Sequence, residues 1–456
     1  MYSRMVIRSL KPSIIERIPI LRKIKSKIWV EAYGCSSSMA DYEMICGLLK
    51  EAGFEIAAKQ SEGAVNLIVT CSVKDRTEHR MMSRIKKMTS SGKPLIVAGC
   101  LPKADTARVE SLNSSASLLG PNTIDKAPEV VRSSLAGGKL VALEDSSLDK
   151  VNIPRVRLNS SVSIVEIASG CLSQCSFCQT KNAKGWLRSY RIGDIVRQIK
   201  ADLGSGCKEV WLSSTDNGCY GRDNDTNLVE LLNACCSIEG SFKIRLGMMN
   251  PMYLPGMLDT MVNVFRENDK LFKFLHLPVQ SGSNRILKKM KRGHTTNTFL
   301  EAIQAFRRRI PEMTISTDII VGFPSETEDD FKETLDLVAR SKPDIVNISR
   351  YSSRSGTEAH GWKCNRVKSQ VSKERSERLY ALTTTIAKKR NSLWKYWEGN
   401  IVIDEIGELP QGRNYAYKPV VISTPDRQLL LGESVHVRIH DFSSFSLKAN
   451  IILQPS

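Results

Sequence analysis

The sequence predicts an α/β protein with an N-terminal doubly wound parallel sheet, a central partial (βα)6 barrel and a small all-β barrel at the C-terminus. Two series of alternating strand and helix patterns predict the first two parts, and short strands separated by turn residues predict the third. The length of 456 residues agrees with several hydrophobic cores. Apolar residues make up 41% of the chain, but no apolar run is long enough to span a bilayer, so we expect no membrane partner.

The domain boundaries are placed where the pattern changes. Residues 1–26 form a basic extension, 27–140 the N-terminal domain, 141–157 a polar linker, 158–392 the central domain with a basic helical end, and 393–456 the C-terminal domain. The extension contains a single acid and lacks the apolar core of a signal peptide, so we expect a cytoplasmic protein. An amphipathic transit peptide is the alternative interpretation of this extension.

Each part is recognised from its strand candidates. Those of the N-terminal domain are Ile28–Tyr33, Asn66–Thr70 and Pro94–Gly99, each followed by a helical pattern. The central domain repeats the strand-helix unit with candidates Val162–Ala168, Glu209–Ser213, Lys243–Met248, Phe272–Val279, Thr314–Gly322 and Ile345–Tyr351. Such a series indicates a parallel barrel with its active site at the carboxyl ends of the strands. The last candidates are Asn400–Ile406, Ala416–Ile422, Ser434–Asp441 and Ser446–Leu453, typical of an oligonucleotide-binding type of barrel.

The net charge of +18 indicates a polyanionic partner, of which nucleic acid is the commonest. A merely solubilising surface is the alternative, but the charge is concentrated: residues Lys363 to Glu398 contain ten Lys or Arg and three Glu. Residues Gly399 to Ser456 contain five basic and six acidic residues, which is not a basic RNA-binding face. We therefore expect phosphate contacts from the basic segment and the N-terminal extension.

The sharpest motif is a C-x3-C-x2-C sequence, Cys171, Cys175 and Cys178, directly after the first barrel strand. Three thiolates in one loop can hold three corners of a 4Fe-4S cluster and leave one iron open, to which S-adenosylmethionine (SAM) can bind. A structural zinc site is the alternative, but it requires four ligands, and no further Cys or His follows within 25 residues. The motif therefore predicts a redox cluster.

A second group of cysteines is dispersed along the N-terminal domain. Cys35, Cys71 and Cys100 each follow a predicted strand, and the carboxyl ends of parallel strands share one edge of a sheet. We expect these three to converge and hold a second cluster with an open iron. The alternative is that they pack as small apolar residues, which is how we interpret Cys46, Cys207, Cys235, Cys236 and Cys364. Cys219 lies in a loop expected to face the active site, but we assign it no ligand role.

These features together resemble the methylthiotransferase family of radical SAM enzymes over nearly the whole chain. The supporting segments are Trp211–Gly221, Leu275–Ser283, Met290–Arg292, Asp318–Thr327 and Tyr351–Thr357. Segments that resemble the archaeal and eukaryotic branch of the family are Thr180–Gly185, Tyr220–Asp223 and Arg245–Pro251. The resemblance implies an N-terminal domain with a second cluster, a radical SAM barrel and a C-terminal RNA-binding TRAM domain.

The resemblance also implies an activity and its cofactors. The branch converts N6-threonylcarbamoyladenosine beside the anticodon of ANN-decoding tRNA into its 2-methylthio derivative, using two 4Fe-4S clusters and SAM. Relatives that act on isopentenyladenosine or on a ribosomal-protein aspartate remain alternatives, as does a non-catalytic iron-sulphur RNA-binding protein. We expect a monomer that receives electrons from a donor such as ferredoxin or flavodoxin.

Polar residues near the strand ends are the candidates for SAM contacts. These are Asp216, Arg245, Gln280, Ser281 and Asp318, each of which could instead cap a helix or bond within the barrel core.

Overall fold

The computed structural model describes residues 26–72, 75–146, 148–362, 365–423, 425 and 427–452, and it has the predicted three-part α/β architecture. The basic extension lies outside these residues except for Ser26, and Cys364 also lies outside them. No helix of the described chain is long and apolar enough to cross a membrane.

The N-terminal domain is a parallel sheet with strand order β2-β1-β3-β4-β5-β6 and helices between the strands. Its two apolar clusters contain alternate residues of the same central strands, as expected for a sheet covered on both faces. In chain order the elements are β1 Lys27–Ala32, α1 Ser36–Glu51, β2 Glu55–Ile56, β3 Val65–Thr70, α2 Asp75–Thr89, β4 Leu95–Gly99, α3 Cys100–Ala104, α4 Thr106–Glu110, β5 Ser117–Leu119, α5 Ala127–Leu135 and β6 Val141–Ala142.

The central domain carries two three-stranded parallel sheets, β11-β10-β7 and β12-β13-β14, joined by an isolated parallel bridge between Ile244 and Leu271. Together they form the predicted partial barrel of six strands. The elements are β7 Val162–Glu166, β8 Ala168–Ser169, α6 Thr180–Lys184, β9 Arg188–Ser189, α7 Ile192–Gly204, β10 Glu209–Ser213, α8 Leu228–Cys236, β11 Lys243–Leu246, α9 Leu258–Glu267, β12 Phe274–His276, α10 Asn284–Lys289, α11 Thr296–Arg309, β13 Thr314–Val321, α12 Glu328–Ser341, β14 Ile345–Arg350 and α13 Ser369–Ser392.

The C-terminal domain is a closed barrel of five strands in the order β15-β16-β17-β19-β18. Its strands are β15 Glu398–Glu405, β16 Gln411–Arg413, β17 Pro419–Ile422, β18 Ser434–Phe442 and β19 Leu447–Ile451. Four of these strands match the sequence candidates, and β16 was not predicted.

Helix α1 joins the first two domains. The large central core covers the outer face of the six strands, and the other face of β7 packs instead against α1 of the N-terminal domain. A Cβ atom on Gly47 of α1 would lie 2.1 Å from the backbone oxygen of Pro154, so this segment also packs tightly on the helix.

The predicted linker 141–157 is not a solvated connection. It begins within β6, and its Lys150 side chain is 1% exposed. Hydrophobic residues of the segment pack against the cores of both neighbouring domains. The polar composition of this segment therefore reflects buried ion pairs and surface positions.

Candidate active site

The Cys171–Cys178 loop lies at the carboxyl end of the first barrel strands, between β8 and α6. It begins at Gly170, whose φ is +73° and whose Cβ position would be only 1.9 Å from the backbone oxygen of Trp186. Only glycine fits such a turn. The Cys171 thiol is buried, while Cys175 and Cys178 are partly exposed.

The middle of this loop is held by its neighbours. Ser176 donates its backbone N–H to Met290 and its hydroxyl to the backbone oxygen of Lys289, at 3.1 and 2.9 Å. The Phe177 ring packs edge-on against Phe323, which follows β13. The cysteines are therefore positioned by a rigid turn.

Cys35, Cys71 and Cys100 come together at one edge of the N-terminal sheet, because they follow the adjacent strands β1, β3 and β4. Cys71 and Cys100 are 2% and 3% exposed, and Cys35 is exposed at the start of α1. A Cβ atom on Gly34 would lie 2.3 Å from Cβ of Cys71. The backbone beside Cys35 can approach Cys71 only because residue 34 is glycine.

The pKa values differ within each cysteine group. A hydrogen bond with Cys71 lowers the pKa of Cys35 to about 5, and a hydrogen bond with Cys219 lowers the pKa of Cys171 to about 6. Burial raises the pKa of Cys100 to about 12 and also raises that of Cys178. Cys35 and Cys171 thus ionise more readily than Cys100 and Cys178, which would lose their protons on binding iron.

The two cysteine groups approach each other where the domains meet. Helix α3, which begins at Cys100, packs against α6, which follows the Cys171–Cys178 loop. Ser36, the neighbour of Cys35, lies 2.9 Å from Ser213 at the end of β10, measured between their hydroxyl oxygens. Both groups therefore belong to one region at the mouth of the barrel.

A buried network of four charges lies beneath this region. Lys150 contacts Asp41 at 2.5 Å and Glu166 at 3.2 Å, and Lys184 contacts Glu166 at 2.6 Å. Burial opposes the ionisation of Glu166, but the charges of Lys150 and Lys184 lower its pKa to about 2. The network joins α1, the segment before β7, β7 itself and α6.

Of the predicted SAM-contact residues, Asp216 and Gln280 follow the carboxyl ends of β10 and β12, and Asp318 lies within β13. Asp216 accepts backbone N–H groups of Gly218 and Asn250, both at 3.0 Å, and burial together with the charge of Cys171 raises its pKa to about 7. Gln280 has a φ of +75°, and its side-chain oxygen is buried without a hydrogen-bond partner among the described residues. The carboxylate of Asp318 accepts a hydrogen bond from Asn347 at 2.7 Å and contacts His276 at 3.1 Å.

The other two candidates have different surroundings. The Ser281 hydroxyl accepts the backbone N–H of Ser283, the residue that precedes α10. Arg245 does not reach the mouth, and we correct its assignment. It lies in the middle of β11 among the rings of Trp211, Phe274 and Tyr417, at 5.0 to 5.3 Å.

The reason for the Arg245 error is the direction of its side chain. Arg245 is the third residue of the four-residue strand β11, between Ile244 and Leu246, which pack into the central core. Alternation turns its side chain away from the outer helices, and Tyr417 of the C-terminal barrel meets it there. The arginine therefore stabilises a contact between domains.

Sequence reasoning assigned no role to two residues beside the cysteine loop, although it expected the loop of Cys219 to face the active site. Arg292 is 4% exposed and donates to the sulphur of Cys175 at 3.2 Å and to the backbone oxygen of Pro278 at 2.8 Å. The Cys219 thiol donates to the backbone oxygen of Asp216 at 3.0 Å and also bonds with Cys171. A local pattern distinguishes neither residue, because both act through contacts that only the fold creates.

The donor chemistry of both groups fits iron-sulphur clusters. Each group presents three thiols, the ligand type that such clusters take from proteins. Among the described residues, no three His, Cys, Asp or Glu side chains are placed to hold a single metal ion. The buried hydroxyls of Ser214 and Thr215 and the Gln280 oxygen have no partner among these residues, so the mouth offers polar groups to a bound molecule.

Comparisons with known families agree with this arrangement. Residues 165–338 match the Radical SAM superfamily, and residues 27–120 match the uncharacterized protein family UPF0004. The "probable threonylcarbamoyladenosine tRNA methylthiotransferase" of Pyrococcus horikoshii is 38% identical, over 90% of this chain and 99% of the relative. The threonylcarbamoyladenosine tRNA methylthiotransferases of Drosophila melanogaster and Homo sapiens are 34% and 32% identical, over 93% and 92% of this chain and 78% and 73% of theirs.

Two solved structures have a similar fold. The radical S-adenosylmethionine methyltransferase TsrM of Kitasatospora setae superposes with a TM-score of 0.53 at 10% identity, over 79% of this chain and 89% of that one. The cobalamin-dependent S-adenosylmethionine radical enzyme OxsB gives 0.51 at 13% identity, over 77% of this chain and 56% of its own. At these identities the likeness concerns the fold alone.

Proposed function

The chain belongs to the threonylcarbamoyladenosine tRNA methylthiotransferase family of radical SAM enzymes, and from this we propose that it converts N6-threonylcarbamoyladenosine beside the anticodon into its 2-methylthio derivative. SAM serves both as the radical source and as the methyl donor. The observation that supports this proposal best is the meeting of two groups of three cysteines, from two domains, at one barrel mouth.

The central group binds the first cofactor in this proposal. Cys171, Cys175 and Cys178 hold a 4Fe-4S cluster which, with SAM, supplies radical hydrogen abstraction from C2 of the adenine. Arg292 donates a hydrogen bond to the Cys175 sulphur. Cys219 keeps its proton, because its hydrogen bond with Cys171 and its burial raise its pKa. Both residues thereby stabilise thiolates in the loop.

The polar groups around the mouth would hold SAM. The unpartnered Gln280 oxygen would accept a hydrogen bond, and the carboxylate of Asp318 would accept hydroxyl groups. Asp216 orients the loop after β10 through its bonds with Gly218 and Asn250.

Cys35, Cys71 and Cys100 hold a second 4Fe-4S cluster, which provides the sulphur. Support comes from their convergence on three adjacent strands and from the buried cation Lys184 close to two of them. A ferredoxin or flavodoxin donates the electrons, and the enzyme acts as a monomer.

An ANN-decoding tRNA binds along the end of α13 and the C-terminal barrel in this proposal. Arg375, Arg378 and Arg390 of the basic segment are used in ion pairs with the central domain. Lys388 and Lys389 of the same segment are exposed, and together with Phe442 they line a groove of about 390 Å³. Tyr396 and Phe445 are 63% and 67% exposed, and Lys395 lies 5.0 Å from the ring of Tyr396. Exposed rings beside lysines suit unstacked bases and phosphates.

The decisive experiment is mass spectrometry of nucleosides from tRNA incubated with the anaerobically reconstituted, reduced enzyme and SAM. A 2-methylthio form of threonylcarbamoyladenosine supports the proposal. Methylthiolated isopentenyladenosine would show that the substrate is a different nucleoside of tRNA. Unchanged tRNA together with a modified ribosomal-protein aspartate would show that the substrate is a protein. Absence of any SAM cleavage would favour a non-catalytic RNA-binding protein.

Replacement of Cys175 tests the role of the central group. We expect Cys175→Ala to retain the fold but to lose release of 5′-deoxyadenosine from SAM, because the cluster loses one of three ligands. Chromatography of the SAM products measures this. The control is Cys235→Ala, a buried cysteine of α8, which should retain cleavage. Normal release by the Cys175 variant would contradict the assignment.

A further inference from the structure

Lys184 places its ammonium group beside the N-terminal cysteines although it belongs to the central domain. It is the last residue of α6 and 4% exposed. Its Nζ donates to Oε1 of Glu166 at 2.6 Å and to Oγ of Ser37 at 3.1 Å. Ser37 is two residues after Cys35, and α6 packs against α3, whose first residue is Cys100. The ammonium thus lies between the two domains at the three-cysteine edge.

The contacts of Lys184 fix both its charge and its place. Its ammonium group forms a buried ion pair with the carboxylate of Glu166 at 2.6 Å. Its second hydrogen bond, to the Ser37 hydroxyl, holds the ammonium group at the first turn of α1, directly after Cys35.

Counting charges shows why the cation matters to the site. Lys150 and Lys184 balance Asp41 and Glu166, so the four buried side chains are neutral as a set. Three thiolates at the same place would add negative charge to this set, and two of them, Cys71 and Cys100, are buried. An ammonium group beside them lowers the cost of the added charge, and burial makes this effect larger than it would be in water.

We propose that Lys184 is a positioning residue for the N-terminal cysteine site, where its positive charge favours the reduced state of a cluster bound there. This inference rests on the proposed function, because it requires a cluster on Cys35, Cys71 and Cys100. The site is consequently complete only when the central domain is docked.

The test uses the full chain with Cys171, Cys175 and Cys178 replaced by Ala, so that only the N-terminal site can hold a cluster. After anaerobic reconstitution, iron is counted and the cluster is titrated with dithionite under electron paramagnetic resonance. We expect Lys184→Met to lower the constant for one-electron reduction about tenfold, which is a fall of about 59 mV in midpoint potential. Lys184→Arg should keep the potential near that of the parent.

Two further variants separate this role from a purely structural one. Glu166→Gln removes the negative partner of Lys184 and should raise the potential, a change of opposite sign that loss of packing does not produce. Lys150→Met removes an equally buried ammonium group of the same network. It should shift the potential less than Lys184→Met, because Lys150 contacts Asp41 and Glu166, whereas Lys184 also contacts Ser37 beside Cys35.

The outcomes distinguish this inference from the proposed function. A retained cluster with the same potential in the parent and the Lys184→Met chain would overturn the role of Lys184 alone, as would equal shifts from Lys150→Met and Lys184→Met. A parent chain that binds no iron would overturn the second cluster and this inference with it. If Lys184→Met does not fold, an unchanged or lowered potential in Glu166→Gln overturns the inference.

Discussion

Buried charged side chains mark the contacts between the three domains. Lys184 and Glu166 lie between the first two, and Glu209 lies where the central barrel meets the C-terminal one. Glu209 is 1% exposed, accepts the indole N–H of Trp211, and has one oxygen without a partner among the described residues. Burial, with the negative charge of Asp404, raises its pKa to about 7.

The Glu209 carboxyl makes stability depend on pH. Its folded pKa exceeds the usual value of 4.5, so its stabilising contribution is complete below about pH 4.5 and is lost as pH rises through about 7. We expect Glu209→Gln to remove up to about 3 kcal/mol of this pH dependence of the free energy of unfolding. Urea denaturation at several pH values measures it. Glu239→Gln, at an exposed position, is the control; an unchanged profile in Glu209→Gln would contradict the prediction.

The same residues show what sequence reasoning can reach. The two groups of three cysteines were predicted because their spacing and their places after strands carry a chemical meaning. Lys184 and Arg292 were not, because charged residues are expected at the surface and only tertiary contacts explain their burial. Arg245 was misplaced for the same reason: its position depends on a ring from another domain.

Secondary-structure elements were predicted best where their patterns are long. All six barrel strands appear at the expected places, since apolar runs alternate with amphipathic helices. Strand β16 was missed because it has three residues, Gln411–Arg413, with a glycine at the centre. A Cβ atom on Gly412 would lie 2.4 Å from the backbone oxygen of Val402, so closure of the barrel requires glycine at this position. The same glycine weakens the strand pattern in the sequence.

Helix α1 provides a test at this scale. Gly47→Ala should destabilise the protein by about 1 to 3 kcal/mol, because the added methyl group would meet backbone atoms of Pro154 and Arg155, which no side-chain rotation relieves. Thermal unfolding measures the loss. Gly193→Ala in α7 is the matched control, since a Cβ atom there has nothing within 4 Å, and it should be neutral or stabilising. Equal stability of the two variants would refute the packing argument.

For the whole molecule, the net charge of +18 predicted a polyanionic partner, and the structure shows where part of this charge goes. Three arginines of the basic segment hold α13 to the central domain, while lysines at its end stay exposed beside aromatic rings. Composition predicts the sign of the charge on such a surface, but it does not show which basic residues are ion-paired and which are exposed.

Binding of tRNA should weaken steeply with salt in the wild type. The double variant Lys388→Gln/Lys389→Gln should reduce the slope of log affinity against log salt by about one to two, because two phosphate contacts are lost. Fluorescence anisotropy over a salt series measures it. The control is Lys50→Gln/Lys59→Gln, exposed positions away from the barrel mouth with the same change in charge. Identical slopes for the two double variants would exclude the groove from tRNA binding.

The buried network also orders events during synthesis on the ribosome. Asp41 leaves the exit tunnel 109 residues before its partner Lys150, and Glu166 and Lys184 follow later still. Until Lys150 has been synthesised, the carboxylate of Asp41 has no ion-pair partner. Burial of an unpaired carboxylate is unfavourable, so Asp41 stays in contact with water during this time. The edge of the first sheet that carries Cys35, Cys71 and Cys100 is thus translated first and completed last. A nascent chain arrested before residue 150 would present an unfinished edge.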